Sequence, residues 1–335
     1  MGNQIPGSPR NIRLKNSQRP EKAFFFGLLL FLLFGLGGCG PKYTYPADSV
    51  PRSIESICKK EYKMDVHASV NGKTVGAVIY LDAIIDAKGQ IPKEVNETMG
   101  KVMQVVTRVA LSTDRELDFC TVVLRDKTHA SELVISRALD DTKRANADAI
   151  GIEESINRTL FGQEKYQLPD TATESFVVKE ITKEKFLAEQ IVQRIRFNFS
   201  KDSKSEIEQP LVLADGAYEE KEGKKGFYFS IIALKADEPR QLMLRIFKIV
   251  NDVLKGYQFT LFDIVEIHDY LNRQKLVIDR QTILDYQNKK IKEEDLLDKF
   301  LFESQSIQEA FKLFGFNVPQ ESGDTETPLP ATASP

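Results

Sequence analysis

The chain repeats itself, and that limits its fold more than any other feature. Shifted by 143 positions, residues 102–137 lie on 245–280 without a gap. Eight of these 36 positions are identical: Leu111/Leu254, Phe119/Phe262, Val122/Val265, Asp126/Asp269, Leu133/Leu276, Val134/Val277, Ile135/Ile278 and Arg137/Arg280. Apolar character also matches at Val106/Ile249, Ala110/Val253 and Leu124/Ile267. A hairpin pattern precedes each block, and acidic helical sequence follows it, ending in Leu160-Phe161 or Leu301-Phe302. The spacing predicts two copies of one unit: hairpin, long helix, strand, short strand, helix. Such a unit buries a helix stripe on one face of a sheet, the two-layer solution. The expected class is therefore α+β, with two tandem, similar two-layer domains, each an antiparallel sheet with helices on one face.

The local signals fill in that outline. Residues 51–62 place Ile54, Ile57 and Cys58 at helical spacing. The β-branched runs 65–70 and 73–81 flank Asn71-Gly72, which predicts a hairpin with a type I′ turn. From Pro92 to Ser112, Val95, Met99, Val102, Met103, Val106, Val109 and Ala110 form one apolar stripe. Residues 117–125 and 133–135 read as strands, and 140–161 as helical. After a linker at 168–173, residues 175–182 read as a strand, 183–193 as a helix and 195–199 as a strand. A second hairpin is expected from 217–221 and 227–234, joined across residues 223–226. A second long helix runs from Pro239 to about Lys255, followed by strands at 259–267 and 276–278 and by helical sequence from 293 to 316. There Phe300, Phe302, Ile307, Phe311, Leu313, Phe314 and Phe316 make an aromatic-rich stripe. The domain boundaries implied are 51–167 and 168–317, with a disordered tail at 318–335.

The first forty residues are of a different kind. Arg10, Arg13, Lys15, Arg19 and Lys22 precede an uninterrupted apolar run, residues 23–38, that ends in Leu36-Gly37-Gly38-Cys39. A basic segment stays on the cytoplasmic side while the apolar run enters the bilayer. Sixteen residues fall short of the ~20 that a spanning helix wants. The leader resembles the export signal of bacterial lipoproteins, whose lipobox is an aliphatic residue, two small residues and a cysteine. The resemblance implies a signal peptide at 1–38, cleavage before Cys39, lipid on its thiol and acylation of the new amine. It also implies a lipid-anchored tether at 39–50. Two or more acyl chains hold a protein stably on a membrane. The competing reading is an uncleaved membrane anchor. Gly40, rather than Asp, follows Cys39, and the sorting pattern of the lipoproteins that the leader resembles then implies the outer membrane in a cell with two. The run Gly35-Leu36-Gly37-Gly38-Cys39-Gly40 matches the dinucleotide fingerprint G-x-G-x-x-G, but without a strand-turn-helix context it carries no meaning.

Composition then narrows the function classes. The leader holds five of the 46 basic and one of the 49 acidic residues, which leaves 41 against 48, a formal charge of −7. A mildly acidic body is not built to hold nucleic acid or an anionic membrane surface. Trp is absent, which disfavours aromatic cages. Besides Cys39 there are Cys58 and Cys120, which an oxidising compartment would allow to pair. Equally, Cys120 reads as a small buried hydrophobe on a strand.

Among candidate site residues, the repeated polar pair stands out. Asp126 and Asp269 end one strand, and Arg137 and Arg280 follow the next. A carboxylate and a guanidinium at neighbouring strand ends would form a bidentate salt bridge. The sharper alternative is that the arginines hold an anionic ligand at two equivalent sites. No metal or cofactor is expected. His67, His129 and His268 lack a second His or Cys at i+3 or i+4. Nor is there a G-x-S-x-G, S-x-x-K or P-loop motif. The leading expectation is a non-catalytic, membrane-anchored envelope lipoprotein facing the periplasm or exterior, which binds a protein partner or acts as a structural adaptor. A small-molecule or glycan-binding lipoprotein is the alternative, and an envelope enzyme without a recognisable motif comes third.

Overall fold

The computed structural model describes residues 43–165, 176–200, 212–233 and 238–303. The described residues from Tyr45 to Glu303 belong to a single compact unit. Cys39, the lipobox, the tail and most of the 300–316 aromatic stripe lie outside the described residues, as does the expected boundary at 167/168. The two sheets on either side of that boundary belong to the single compact unit.

The two halves repeat one order of elements. The first runs α1 (Val50–Tyr62), β1 (His67–Asn71), β2 (Thr74–Leu81), α2 (Lys93–Leu111), β3 (Phe119–Asp126), β4 (Ser131–Ala138), α3 (Leu139–Asn146), α4 (Ile152–Asn157) and β5 (Leu160–Lys165). The second runs α5 (Lys183–Ser200), β6 (Val212–Lys221), β7 (Lys224–Ala233), α6 (Pro239–Gly256), β8 (Ile264–Asp269), β9 (Gln274–Asp279), α7 (Arg280–Gln287), α8 (Glu293–Phe300) and β10 (Leu301–Glu303). The sheets have the orders β1-β2-β3-β4-β5 and β10-β9-β8-β7-β6. The 143-residue shift holds in the central hairpins. Val122 pairs with Ile135, and Val265 with Ile278. Left-handed backbone falls at Ala130 and at Arg273, the same place in each turn.

The helices follow another register. Six buried residues of α6, Met243, Leu244, Ile246, Phe247, Val250 and Asn251, match buried residues of α2 at a shift of 141. The gapless alignment therefore breaks by two residues between helix and strand.

Each sheet is mixed rather than wholly antiparallel. Three pairings in each are antiparallel, but β2 runs parallel to β3 and β7 to β8. The long helix between them carries the chain back along the sheet, so the next strand starts from the same end. In the first half, Cys120, Val122 and Leu124 face α1 and α2, packing with Ile54, Val102, Val106 and Val109. Each such side chain contributes about 1.5–3 kcal/mol on burial. The second core is richer in aromatics. Phe227 meets Phe259 and Phe262 edge-on, both at 5.8 Å between ring centroids.

Several local expectations are corrected. In the first hairpin Asn71 pairs with Thr74, so the loop is Gly72-Lys73, and only Gly72 has positive φ, at 54°. That is the II′ pattern, with glycine first. The I′ pattern occurs in the second hairpin, across Glu222 (φ 52°) and Gly223 (φ 74°). Residues 176–182 form no strand. Side chains satisfy their backbone instead: Asn71 Nδ2 donates to Val178 O at 3.1 Å, Val178 N to Ser69 Oγ at 2.8 Å, and Ile181 N to Thr74 Oγ1 at 2.9 Å. Residues 195–199 continue α5: Ile195 and Phe199 enter the core one turn apart, while Phe197 points away. Leu160 and Leu301 begin strands rather than end helices.

Candidate functional site

The repeated Asp and Arg do not meet. Arg137 pairs across the ladder with Cys120, at the far end of β3 from Asp126. Eleven residues around a hairpin return the chain most of a strand length, which no side chain spans. Arg137 Nε instead donates to Thr159 Oγ1 at 3.0 Å. Arg280 begins α7, is exposed, and donates from a terminal nitrogen to Thr260 O at 3.3 Å.

The aspartates are turn staples. Asp126 is 1% exposed. Its Oδ1 accepts from Thr128 N and Thr128 Oγ1, both at 2.7 Å, and from His129 N at 2.9 Å. Its Oδ2 accepts from Ile84 N at 3.2 Å, and His129 Nδ1 lies 3.2 Å away. Burial alone would raise this carboxyl, but the Thr128 hydroxyl and the amides of Thr128, His129 and Ile84 outweigh it and hold the group well below the usual carboxylate range. In the second copy Asn272 replaces His129, and Leu271 replaces Thr128, so the hydroxyl is lost. Asp269 accepts from Asn272 N at 3.3 Å and Asn272 Nδ2 at 2.7 Å. There burial wins, and the carboxyl is held above its ordinary value.

Cys58 and Cys120 are free, buried thiols, so of the two readings the structure has the buried hydrophobe and not the disulfide. Cys120 lies among Thr107, Met103 and the carbonyl of Arg137, each 3.7–3.8 Å from Sγ. Burial pushes both thiols up to about 11. Among the described residues no three His, Cys, Asp or Glu side chains are grouped as a metal ion requires.

What sequence reasoning missed are two clefts on the first sheet. The larger, about 1040 Å³, lies between the face of β3 and β4 turned away from α2 and the wall formed by α5 and residues 176–181. Its floor carries Thr121, Val123, Arg125, Glu132 and Ser136. Arg125 Nε donates to Glu132 Oε2 at 2.9 Å, and Thr121 and Ser136 hydroxyls lie 2.7 Å apart. Around it stand Ile156, Phe161, Val177 and Phe197, each more than half exposed. The smaller cleft, about 640 Å³, runs along α2 between β4 and α3 and includes Arg137. Side chains of β3 alternate, so one face packs on α1 and α2 and the other lines the larger cleft.

A buried polar cluster joins the halves beside these clefts. Asp141 Oδ1 accepts from Arg158 at 2.8 Å, and Asp141 Oδ2 from the Tyr257 hydroxyl at 2.5 Å. Arg158 Nε also reaches Glu154 at 2.6 Å, and Arg194 reaches the same oxygen at 3.1 Å. Burial first, then the Asp141 carboxylate, pushes the Tyr257 hydroxyl far up, so it stays a donor.

No protein-family model and no curated protein matches this chain. A solved structure does align. It is the crystal structure of the Sex pheromone staph-cAM373 precursor, at 8% identity over 81% of this chain and 97% of that one, with a TM-score of 0.20. A score that low carries no argument about fold or function.

Proposed function

We propose that this chain is a lipid-anchored bacterial envelope lipoprotein that acts without catalysis, by holding an extended segment of a partner protein in the larger cleft. The anchor rests on the leader: the basic segment, the apolar run and Leu36-Gly37-Gly38-Cys39. Among the described residues no helix is long and apolar enough to cross a membrane. The observation that carries the binding role is the rim. Ile156, Phe161, Val177 and Phe197 are 53%, 53%, 65% and 52% exposed and ring one cleft. Scattered exposed apolar residues need no explanation, but a group of them around a cavity marks an interaction site. Below the rim, Thr121, Arg125, Glu132 and Ser136 make a polar floor whose groups pair with one another, Arg125 with Glu132 and Thr121 with Ser136.

Two measurements on intact cells test this reading. Labelled palmitate should appear in the chain and be absent from Cys39→Ala, which should leave the membrane fraction. A photo-crosslinking residue at Val177 or Phe197 should give one discrete protein adduct, and the same residue at exposed Leu271 in the second half none. Membrane retention of Cys39→Ala refutes the anchor, and equal adducts at all three positions refute the cleft.

A further inference from the structure

We propose that the smaller cleft, along α2, is a binding site for a small organic anion, a carboxylate or phosphate head on an apolar body, with Arg137 as its anchor. Four observations converge on it.

The first is charge. The cleft is lined by two charged residues, Arg108 and Arg137, and by no Asp or Glu. Arg108 already has a carboxylate, Glu61 Oε1, at 2.8 Å. Arg137 has none among the described residues. Its Nε is tied to Thr159, which fixes the plane of the guanidinium and leaves its two terminal nitrogens for a ligand. A planar fork of this kind suits a carboxylate or phosphate.

The second is the rest of the lining. Asn96, Gln104 and Asn146 supply neutral amides, while Met99, Met103 and Ile135 supply an apolar wall. Neutral donors bind an oxyanion without repelling it, and methionines adapt to varied apolar bodies. A volume of about 640 Å³ is the size of a small-molecule site.

The third is Gly100, inside α2 on the wall of the cleft. A Cβ there would touch nothing within 4 Å, and its φ is not left-handed. No packing contact demands glycine at a position where alanine would make a more stable helix. What the glycine preserves is room.

The fourth is the comparison between halves. In the second half α8 packs Leu296 and Leu297 into the core beside α6, Lys248 of α6 bonds Glu293 at 2.9 Å, and Tyr286 meets Phe247 at 5.1 Å. In the first half α4 adds nothing to the core and leaves Ile152 and Ile156 exposed. The flank of the long helix that the second copy covers is left open in the first. Arg280, in the position of Arg137, lies exposed at the start of α7, so one site is inferred rather than two.

The test uses the full chain in nanodiscs of zwitterionic phosphatidylcholine, which has no net charge, with ¹³C-methyl methionine. Met99 and Met103 report on the cleft, and Met64 and Met243 lie outside it. Benzoate and phenyl phosphate should shift Met99 and Met103 saturably and leave Met64 and Met243 in place. Arg137→Gln should weaken binding at least tenfold, and Arg108→Gln less than threefold. Gly100→Leu, which keeps Arg137 and Thr159, should block binding by bulk alone and decides the matter if Arg137→Gln fails to fold. Benzyl alcohol binding as tightly as benzoate, full affinity in Gly100→Leu or in folded Arg137→Gln, or shifts spread over all four methyls would each overturn the proposal. Inorganic phosphate binding as tightly as phenyl phosphate would overturn the apolar half of it.

Discussion

Replacing Arg158 by Met removes the hub of the cluster between the halves. The Arg158 and Asp141 side chains are each only 7% exposed, so solvent does little to screen them. The substitution deletes the bonds to Asp141 and Glu154 together, and the stacking of the guanidinium over the Tyr257 ring at 4.7 Å. Breaking a buried pair from one side costs about 3–5 kcal/mol, because the remaining charge stays desolvated. Asp141 keeps the Tyr257 hydroxyl and Glu154 keeps Arg194, which places the loss at the lower end, about 3 kcal/mol. Urea unfolding followed by far-UV circular dichroism reads this directly, since the chain has no Trp to follow. Lys59→Met is the control. It breaks an ion pair whose partners are 74% and 86% exposed, and should stay within about 0.5 kcal/mol of wild type. The triple variant Arg158→Met, Asp141→Leu, Tyr257→Phe should recover most of the loss, because no buried charge is stranded. A loss below about 1 kcal/mol for Arg158→Met, or no recovery in the triple variant, would refute the reasoning.

Three other outcomes follow from the same geometry. Gly76→Val should destabilise by about 1–3 kcal/mol in thermal melts, since even a Cβ would stand 2.6 Å from Val178 and 2.8 Å from Thr121; an unchanged melting temperature contradicts the packing of 176–182 on β2. Cys58 and Cys120 should be inert to a thiol reagent at pH 8 and react after denaturation, giving two thiols per chain when Cys39 carries lipid and three when it does not; a native disulfide would give fewer. The two aspartates should give opposite pH slopes. The folded Asp126 carboxyl is depressed, so its stability is present above the unfolded value of about 3.9 and lost as pH falls. The folded Asp269 carboxyl is raised, so its stability is full below that value and lost as pH rises through the raised one. In urea melts from pH 3 to 7, the cost of Asp126→Asn should therefore grow with pH and that of Asp269→Asn shrink, and parallel slopes would exclude this reading.

The order of the elements was legible because each half carries its own periodicities. The stripe of α2 and the alternation of β3 depend on side chains that face a single core, and a local pattern records that. Two kinds of feature were not legible. Ile195, Phe197 and Phe199 alternate like a strand, yet they form the last turn and a half of α5, with Phe197 on the cleft side. Period two and period 3.6 agree over so short a run, and tertiary contacts decide. The pairing of Asp126 with Arg137 failed for a different reason. Proximity in sequence suggested neighbouring strand ends, but the register sets Arg137 against Cys120, and no residue type announces a register. The clefts lie between elements far apart in the chain, so only the fold assembles them. Gly100 was the one local sign, a glycine inside a strong helical stripe with no turn to explain it.

The repeat explains the fold but not the asymmetry that produces the larger cleft; α5 does. Its counterpart α1 buries one stripe, Val50, Ile54 and Cys58, as a helix on a single sheet requires. By contrast α5 is buried on two sides. Leu187, Ile191 and Ile195 enter the core of its own half, while Phe186 packs on Phe119 at 5.1 Å and Gln193 caps the start of β5, accepting from Phe161 N at 2.8 Å. One helix of the second copy thus forms a wall over the bare face of the first sheet, and the space it does not fill is the cleft. A single copy would leave Phe119, Val123 and Val134 of that face uncovered. The second copy therefore supplies more than a duplicate of the first. Its own helix supplies the wall, and the segment before it, which crosses β1 and β2 by donating to Ser69 and Thr74 and accepting from Asn71, supplies Val177 at the rim. The Asp141–Arg158–Tyr257 joint holds the same two halves together, so the joint and the wall on which Phe197 stands depend on one seating of the second copy on the first.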